Sequence, residues 1–219
     1  MAEPLRNCIP YNEFDYQTLL SALRQYKQPR DRITKLIRQG TIVRVKKGLY
    51  VFGENERRGV IHKEILANLI YGPSYVSLDY ALHFHGLIPE RVEALTSVTI
   101  SRSREFTTPL GRFVYRKIPL SAFRSGVDRV TVGKDRAFLM AIPEKALADK
   151  LYSGQVSLCT RRVLEVYLLD DLRIEPDGLR AMNPDLLEDY ARRFRSRKIR
   201  LAEAVVRRLQ KAEGGGIGE

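Results

Sequence analysis

The chain has 219 residues, of which 44% are hydrophobic and 29% charged, the proportions of an ordinary globular protein. Its 38 Lys and Arg outnumber its 26 Asp and Glu, giving a formal charge of +12 that suits a polyanionic partner. No apolar run approaches the roughly 18 residues needed to cross a bilayer, and Met1 to Phe14 lacks the apolar centre of a signal peptide, so a cytoplasmic chain with no membrane partner is expected.

Asp15 to Tyr26 reads as a first helix, with Asp15 as N-cap and Leu19, Leu20 and Leu23 as its apolar stripe. After a short turn, a second helix opens at Pro29, which suits a first helical position, and closes before Gly40. Ile33, Leu36 and Ile37 would bury one narrow face of it, leaving Asp31, Thr34, Lys35 and Arg38 on the other. Two β-branched runs follow, Ile42 to Val45 and Leu49 to Phe52, joined by Lys46-Lys47-Gly48. This is the pattern of a winged helix-turn-helix: a basic helix for a major groove, then a hairpin whose tip reaches phosphate. From Arg24 to Lys47, nine basic residues face the single acid Asp31, a net +8. Double-stranded promoter DNA is the expected partner. Gln28, Arg30, Asp31, Thr34 and Lys35 would lie nearest the bases, and Arg38, Arg44, Lys46 and Lys47 nearest phosphate.

Gly53 to Gly59 is polar and flanked by glycines, placing a boundary between a head at 1–55 and a body at 56–213. Helices are expected at Val60 to Tyr71 and Ser77 to His85. Strands are expected at Ala94 to Ser101, Gly111 to Ile118, Arg129 to Val132 and Ala137 to Ile142, with a hairpin turn at Gly133-Lys134-Asp135. Pro143 restarts a helix that buries Ala146, Leu147 and Leu151. Helical patterns at Val163 to Leu169, Pro184 to Phe194 and Ile199 to Leu209 complete the body. The fold class is therefore α+β, a winged head followed by a body with a small antiparallel or mixed sheet. Its apolar face would come from Val98, Ile100, Val114 and Leu139, covered by helices. Residues 214–219 read as a flexible tail.

Chemistry has few footholds. Cys8 and Cys159 are too few and too distant for a disulfide framework or zinc site, and free thiols are expected. His83 and His85 are two apart, whereas helical zinc pairs are four apart, so no metal is expected even with Asp79 nearby. His85, ahead of Gly86, reads as a cap and packing residue. Glu144 and Asp149, five apart on one helix, would be spread around its surface. Asp149 and Lys150 read as a solvated pair or a helix-to-sheet contact rather than nuclease groups. Phosphate-loop, dinucleotide, nucleophile-elbow and zinc-protease motifs are all absent, so neither catalytic residues nor a cofactor is expected. A second basic stretch runs from Arg192 to Lys211, with nine basic residues against Glu203. Arg192, Arg193, Arg195, Arg197, Lys198 and Arg200 could form a second nucleic-acid surface, face an acidic partner, or be merely solvated.

Leu36 to Tyr50 (LIRQGTIVRVKKGLY) resembles the wing region of AbiEi-type antitoxins of type IV toxin–antitoxin systems. So do Ser77-Leu78, Ala81-Leu82 and His85-Gly86-Leu87-Ile88-Pro89-Glu90. Thr96 to Thr99 with Arg102, and Gly111-Phe113-Tyr115, resemble the strands that follow, and Ile142 to Leu151 (IPEKALADKL) the helix after the sheet. The resemblance covers about Arg30 to Leu151. It implies a transcriptional autorepressor of its own operon and a non-enzymatic antitoxin opposing a nucleotidyltransferase-type toxin. The family commonly has more sequence in its C-terminal half, where this chain has its basic helical segment. Two other readings of the residues stay open, a stand-alone winged-helix regulator and a structured-RNA-binding protein. A homodimer would match a palindromic operator.

Overall fold

The computed structural model describes residues 5–133, 135–154 and 160–214. The expected tail at 215–219, Lys134 of the expected hairpin turn, and Cys159 lie outside them. Among the described residues the chain is mixed α+β, with eleven α-helices and two sheets.

The N-terminal part contains α1 (Leu5–Cys8), β1 (Glu13–Asp15), α2 (Tyr16–Ala22), α3 (Pro29–Arg38), β2 (Ile42–Lys46) and β3 (Leu49–Phe52). Asp15 caps α2 as expected, its carboxylate accepting the Thr18 amide at 2.8 Å. The helix is shorter than its pattern suggested, and Leu23 to Gln28 forms the turn into α3. In α3, Ile33 and Leu36 are buried and Ile37 half-buried, while Asp31, Thr34, Lys35 and Arg38 are exposed. Gly48 takes a φ of +87° in the β2–β3 turn, a conformation that costs glycine little. The sheet order is β1–β3–β2, all antiparallel, so β3 is central. Gly53 closes this unit: its amide donates to Thr41 O at 2.8 Å, and a Cβ there would collide with the Gly40 carbonyl.

All four residues of β3 are buried, but in two different cores. Tyr50 and Phe52 join Phe14, Leu19, Ile33, Leu36 and Ile42 against the head helices. Leu49 and Val51, with Val45, join the large core that includes Leu66, Tyr75, Val98 and Tyr115 of the body. The polar stretch after Gly53 is thus the covalent link between head and body, yet the packing continues across it. Polar contacts reinforce the junction. Asn12 Nδ2 donates to Arg58 O at 3.1 Å, and the Arg58 amide returns a bond to Asn12 Oδ1 at 3.1 Å. The buried Glu13 carboxylate accepts the His62 amide at 3.3 Å and pairs with Arg136.

The body continues with α4 (Lys63–Ile70), β4 (Ser74–Val76), α5 (Leu78–Phe84), β5 (Leu95–Thr99), β6 (Arg104–Thr108), β7 (Gly111–Lys117), α6 (Leu120–Phe123), β8 (Val127–Val132) and β9 (Arg136–Ala141). Then come α7 (Pro143–Ser153), α8 (Arg161–Val166) with a wider π-type turn over Tyr167–Asp171, α9 (Pro176–Arg180), α10 (Pro184–Phe194) and α11 (Arg197–Gly214). The six strands are ordered β6–β7–β5–β4–β9–β8. The sheet is mixed: β5 runs parallel to β7 and β4 parallel to β9, while the remaining neighbours are antiparallel. Helix α7 packs against α5 and α10, and α11 lies against α8, α9 and α10.

Two members of the expected apolar sheet face are corrected. Val98 and Val114 are buried, but Leu139 is 45% exposed, because strand alternation gives the covered positions to Phe138 and Met140. Ile100 lies just past the end of β5 and is only half-buried.

A shared core predicts shared unfolding. In urea, head and body should be lost in one transition, with amides of β3 and β5 losing hydrogen-exchange protection at the same denaturant concentration. Leu66→Ala, at a fully buried body position, should lower stability by about 2–5 kcal/mol and weaken β3 protection equally.

Candidate nucleic-acid interface

The α3 surface is built by its amphipathic period. Ile33 and Leu36 anchor the helix, which fixes Arg30, Asp31, Thr34, Lys35 and Arg38 outward, with Gln28 exposed at its start. Thr34 Oγ1 donates to Arg30 O at 3.2 Å. Arg32 turns inward instead, its guanidinium 5.2 Å from the centre of the Tyr26 ring. Arg44 stands opposite Tyr50 in the hairpin register, so it shares the sheet face that covers the head helices and extends the α3 surface. Lys47 is exposed at the turn.

Lys46 does not join them. Its ammonium donates to Ile70 O at the C-terminal end of α4, where a cation meets unsatisfied carbonyls and the negative end of the helix dipole. Burial pulls its pKa down. The register shift between Arg44 and Lys46 accompanies this turn toward the body. The position expected to touch phosphate therefore ties the hairpin to the body. The turn is held from a second side, because the Tyr16 amide donates to Gly48 O at 3.0 Å.

The two basic stretches, equal in sequence, differ in space. Among the described residues, Arg30, Lys35, Arg38, Arg44 and Lys47 have no acidic partner. At the other end, Arg192 pairs with Glu188 at 3.2 Å and Arg193 with Asp189 at 2.5 Å. Arg207 pairs with Glu203 and also reaches Asp185 at 2.8 Å, and Arg208 pairs with Glu165. Lys198 donates to Gly154 O at 2.8 Å. Only Arg195, Arg197 and Arg200 of the six expected there remain exposed and unpaired among the described residues. Among the described residues, four of the nine cations from Arg192 to Lys211 thus meet acids, whereas none of Arg30, Lys35, Arg38, Arg44 and Lys47 does.

The residues weighed for chemistry are also placed. Glu144 and Asp149 are buried rather than spread over a surface, because α7 is covered by α5, α10 and the sheet. Glu144 accepts the Asn183 amide at 2.8 Å, joining α7 to the start of α10. Asp149 pairs with Lys145 and accepts the hydroxyls of Tyr75 and Ser77 at 3.1 and 2.7 Å, so of the two readings given for it the solvated pair fails and the contact toward the sheet holds. The Lys145 ammonium sits among the rings of Phe194, Tyr75 and Tyr190 at 4.7, 5.3 and 5.7 Å. Burial raises the Asp149 pKa and lowers that of Lys145, and each partner opposes the shift of the other. Lys150 pairs instead with Asp79 at 2.6 Å. His85 Nε2 lies 2.8 Å from Ala141 O, a hydrogen bond from the end of α5 to β9. No group of three or more His, Cys, Asp or Glu is placed to hold a metal among the described residues, and no helix of the described residues is long and apolar enough to cross a membrane.

Sequence reasoning had no signal for Lys145: a lysine at this point of a helix reads as surface. No protein-family model matches this chain, and no curated protein is similar to it.

Lys145→Ala should cost about 3–5 kcal/mol in urea unfolding, because the Asp149 carboxylate would be left buried without its counter-ion. Lys46→Ala should lower stability by about 1 kcal/mol and leave the salt dependence of DNA binding unchanged, whereas Arg44→Ala and Lys47→Ala should each flatten that slope by about one.

Proposed function

We propose that the chain is a DNA-binding transcriptional autorepressor that also serves as the antitoxin of a type IV toxin–antitoxin pair, opposing a nucleotidyltransferase-type toxin. The observation that carries the DNA-binding half is the exposed charge of α3, Arg44 and Lys47, which meets no acidic partner among the described residues. The order α1–β1–α2–α3–β2–β3, with β1 paired to β3, supports reading the head as a winged helix-turn-helix with α3 as its recognition helix. In that reading Gln28, Arg30, Asp31, Thr34 and Lys35 approach base edges, while Arg38, Arg44 and Lys47 hold phosphate.

The antitoxin half rests on the resemblance of Leu36–Tyr50, Ser77–Glu90 and Ile142–Leu151 to AbiEi-type proteins. These segments fall on the hairpin, on α5 with its following loop, and on α7. The last is the helix that holds the buried Lys145–Asp149 pair. The structured-RNA alternative rests on the C-terminal helices, where Arg192, Arg193, Arg207 and Arg208 meet acids while Arg195, Arg197 and Arg200 do not.

Because head and body share a core, the two roles are best separated by surface substitutions in the full chain. Lys35→Glu with Arg38→Glu should abolish the gel shift of the chain's own upstream DNA while leaving growth rescue intact when the adjacent toxin is co-expressed. An unchanged gel shift would remove α3 as the reading helix. Loss of rescue with the protein still folded would tie neutralisation to the head and remove the body as its seat.

A further inference from the structure

A cleft of about 790 Å³ opens in the body, away from α3, between the start of α4, the face of α5 and the turn into β7. Three cations line it, Lys63, Arg91 and Arg112. All three are exposed and none forms an ion pair among the described residues. Glu93 is the one acid on the wall. The Lys63 ammonium stands over Gly111, where even a Cβ would come within 3.5 Å of it. The opposite wall is aromatic: Tyr80, His83 and Phe84 come from α5. The Tyr80 hydroxyl donates to the Glu64 carboxylate, which holds the ring in place. Phe84 is 48% exposed, yet its ring is braced edge-on by Phe138 and His85, with centroids at 6.3 and 5.6 Å.

Such an arrangement has a defined chemical preference. Three like charges gathered without counter-ions attract an anion of more than one charge. A rigid, half-exposed aromatic wall offers a stacking surface for a planar ring. The volume falls in the range of small-molecule sites and accommodates one such ligand. We propose that this cleft binds a nucleoside di- or triphosphate, the phosphates toward Lys63, Arg91 and Arg112 and the base against Phe84. It is a site separate from the DNA-binding surface of the head, and the assignment does not depend on that reading.

The test is titration of the full chain with methylanthraniloyl-labelled GTP and ATP, with sodium tripolyphosphate and the unlabelled nucleosides as the two halves of the ligand. Saturable nucleotide binding should weaken by about tenfold in each of Arg91→Ala and Arg112→Ala, since each removes one charge-assisted hydrogen bond to phosphate. Both positions are exposed, so these variants keep the fold. Phe84→Ala should weaken the nucleotides but leave tripolyphosphate unaffected, and Arg44→Ala with Lys47→Ala should change neither. Absence of saturable binding would overturn the proposal, as would binding indifferent to Arg91 and Arg112 or abolished by the head variants. Tripolyphosphate binding as tightly as the nucleotides would overturn the nucleotide assignment.

Discussion

Leu49 and Val51 face the body while Tyr50 and Phe52 face the head helices, so one four-residue strand belongs to two cores at once. Each such side chain contributes about 1.5–3 kcal/mol when fully buried, and removing either neighbour would expose half of them. A head attached in this way is not a module on a leash. Its orientation is set by packing, by the Glu13–Arg136 pair and by the Lys46 contact with the end of α4.

Much of this was legible in the sequence because period and punctuation agreed. Pro29, Gly40 and the Ile33–Leu36–Ile37 stripe define α3, and Asp15 caps the helix before it. The segment Pro184 to Phe194 has the bounds its pattern suggested. What was missed is short or context-dependent. Strand β4 has three residues and follows Pro73, and β6 is a largely exposed edge strand, so neither shows alternation over enough residues to register. Leu139 looks like core in a one-dimensional pattern, but its neighbours Phe138 and Met140 hold the covered face.

Charge counting shows the same limit more sharply. Two stretches of net +8 are indistinguishable as strings, but Arg192 and Arg193 find acids one helical turn back, and Arg207 and Arg208 find them on other helices. Surface pairs of this kind contribute little stability, yet they cancel the field that a polyanion would feel. Lys46 fails for a related reason: its distance from α4 in sequence hides the Ile70 carbonyl that takes its proton-bearing end. Lys145 and Asp149 are hidden by composition, because a buried ion pair four residues apart looks like any solvated pair until the covering helices are known.

We propose that one surface, α3 with Arg44 and Lys47, meets nucleic acid, and that α10 and α11 do not. Hydrogen exchange of the full chain with and without its upstream DNA addresses this most directly. Slowed exchange is expected along Pro29–Arg38 and through the β2–β3 turn, with α10 and α11 unchanged. Slowed exchange confined to α10 and α11, with α3 as labile as in the free protein, would contradict it.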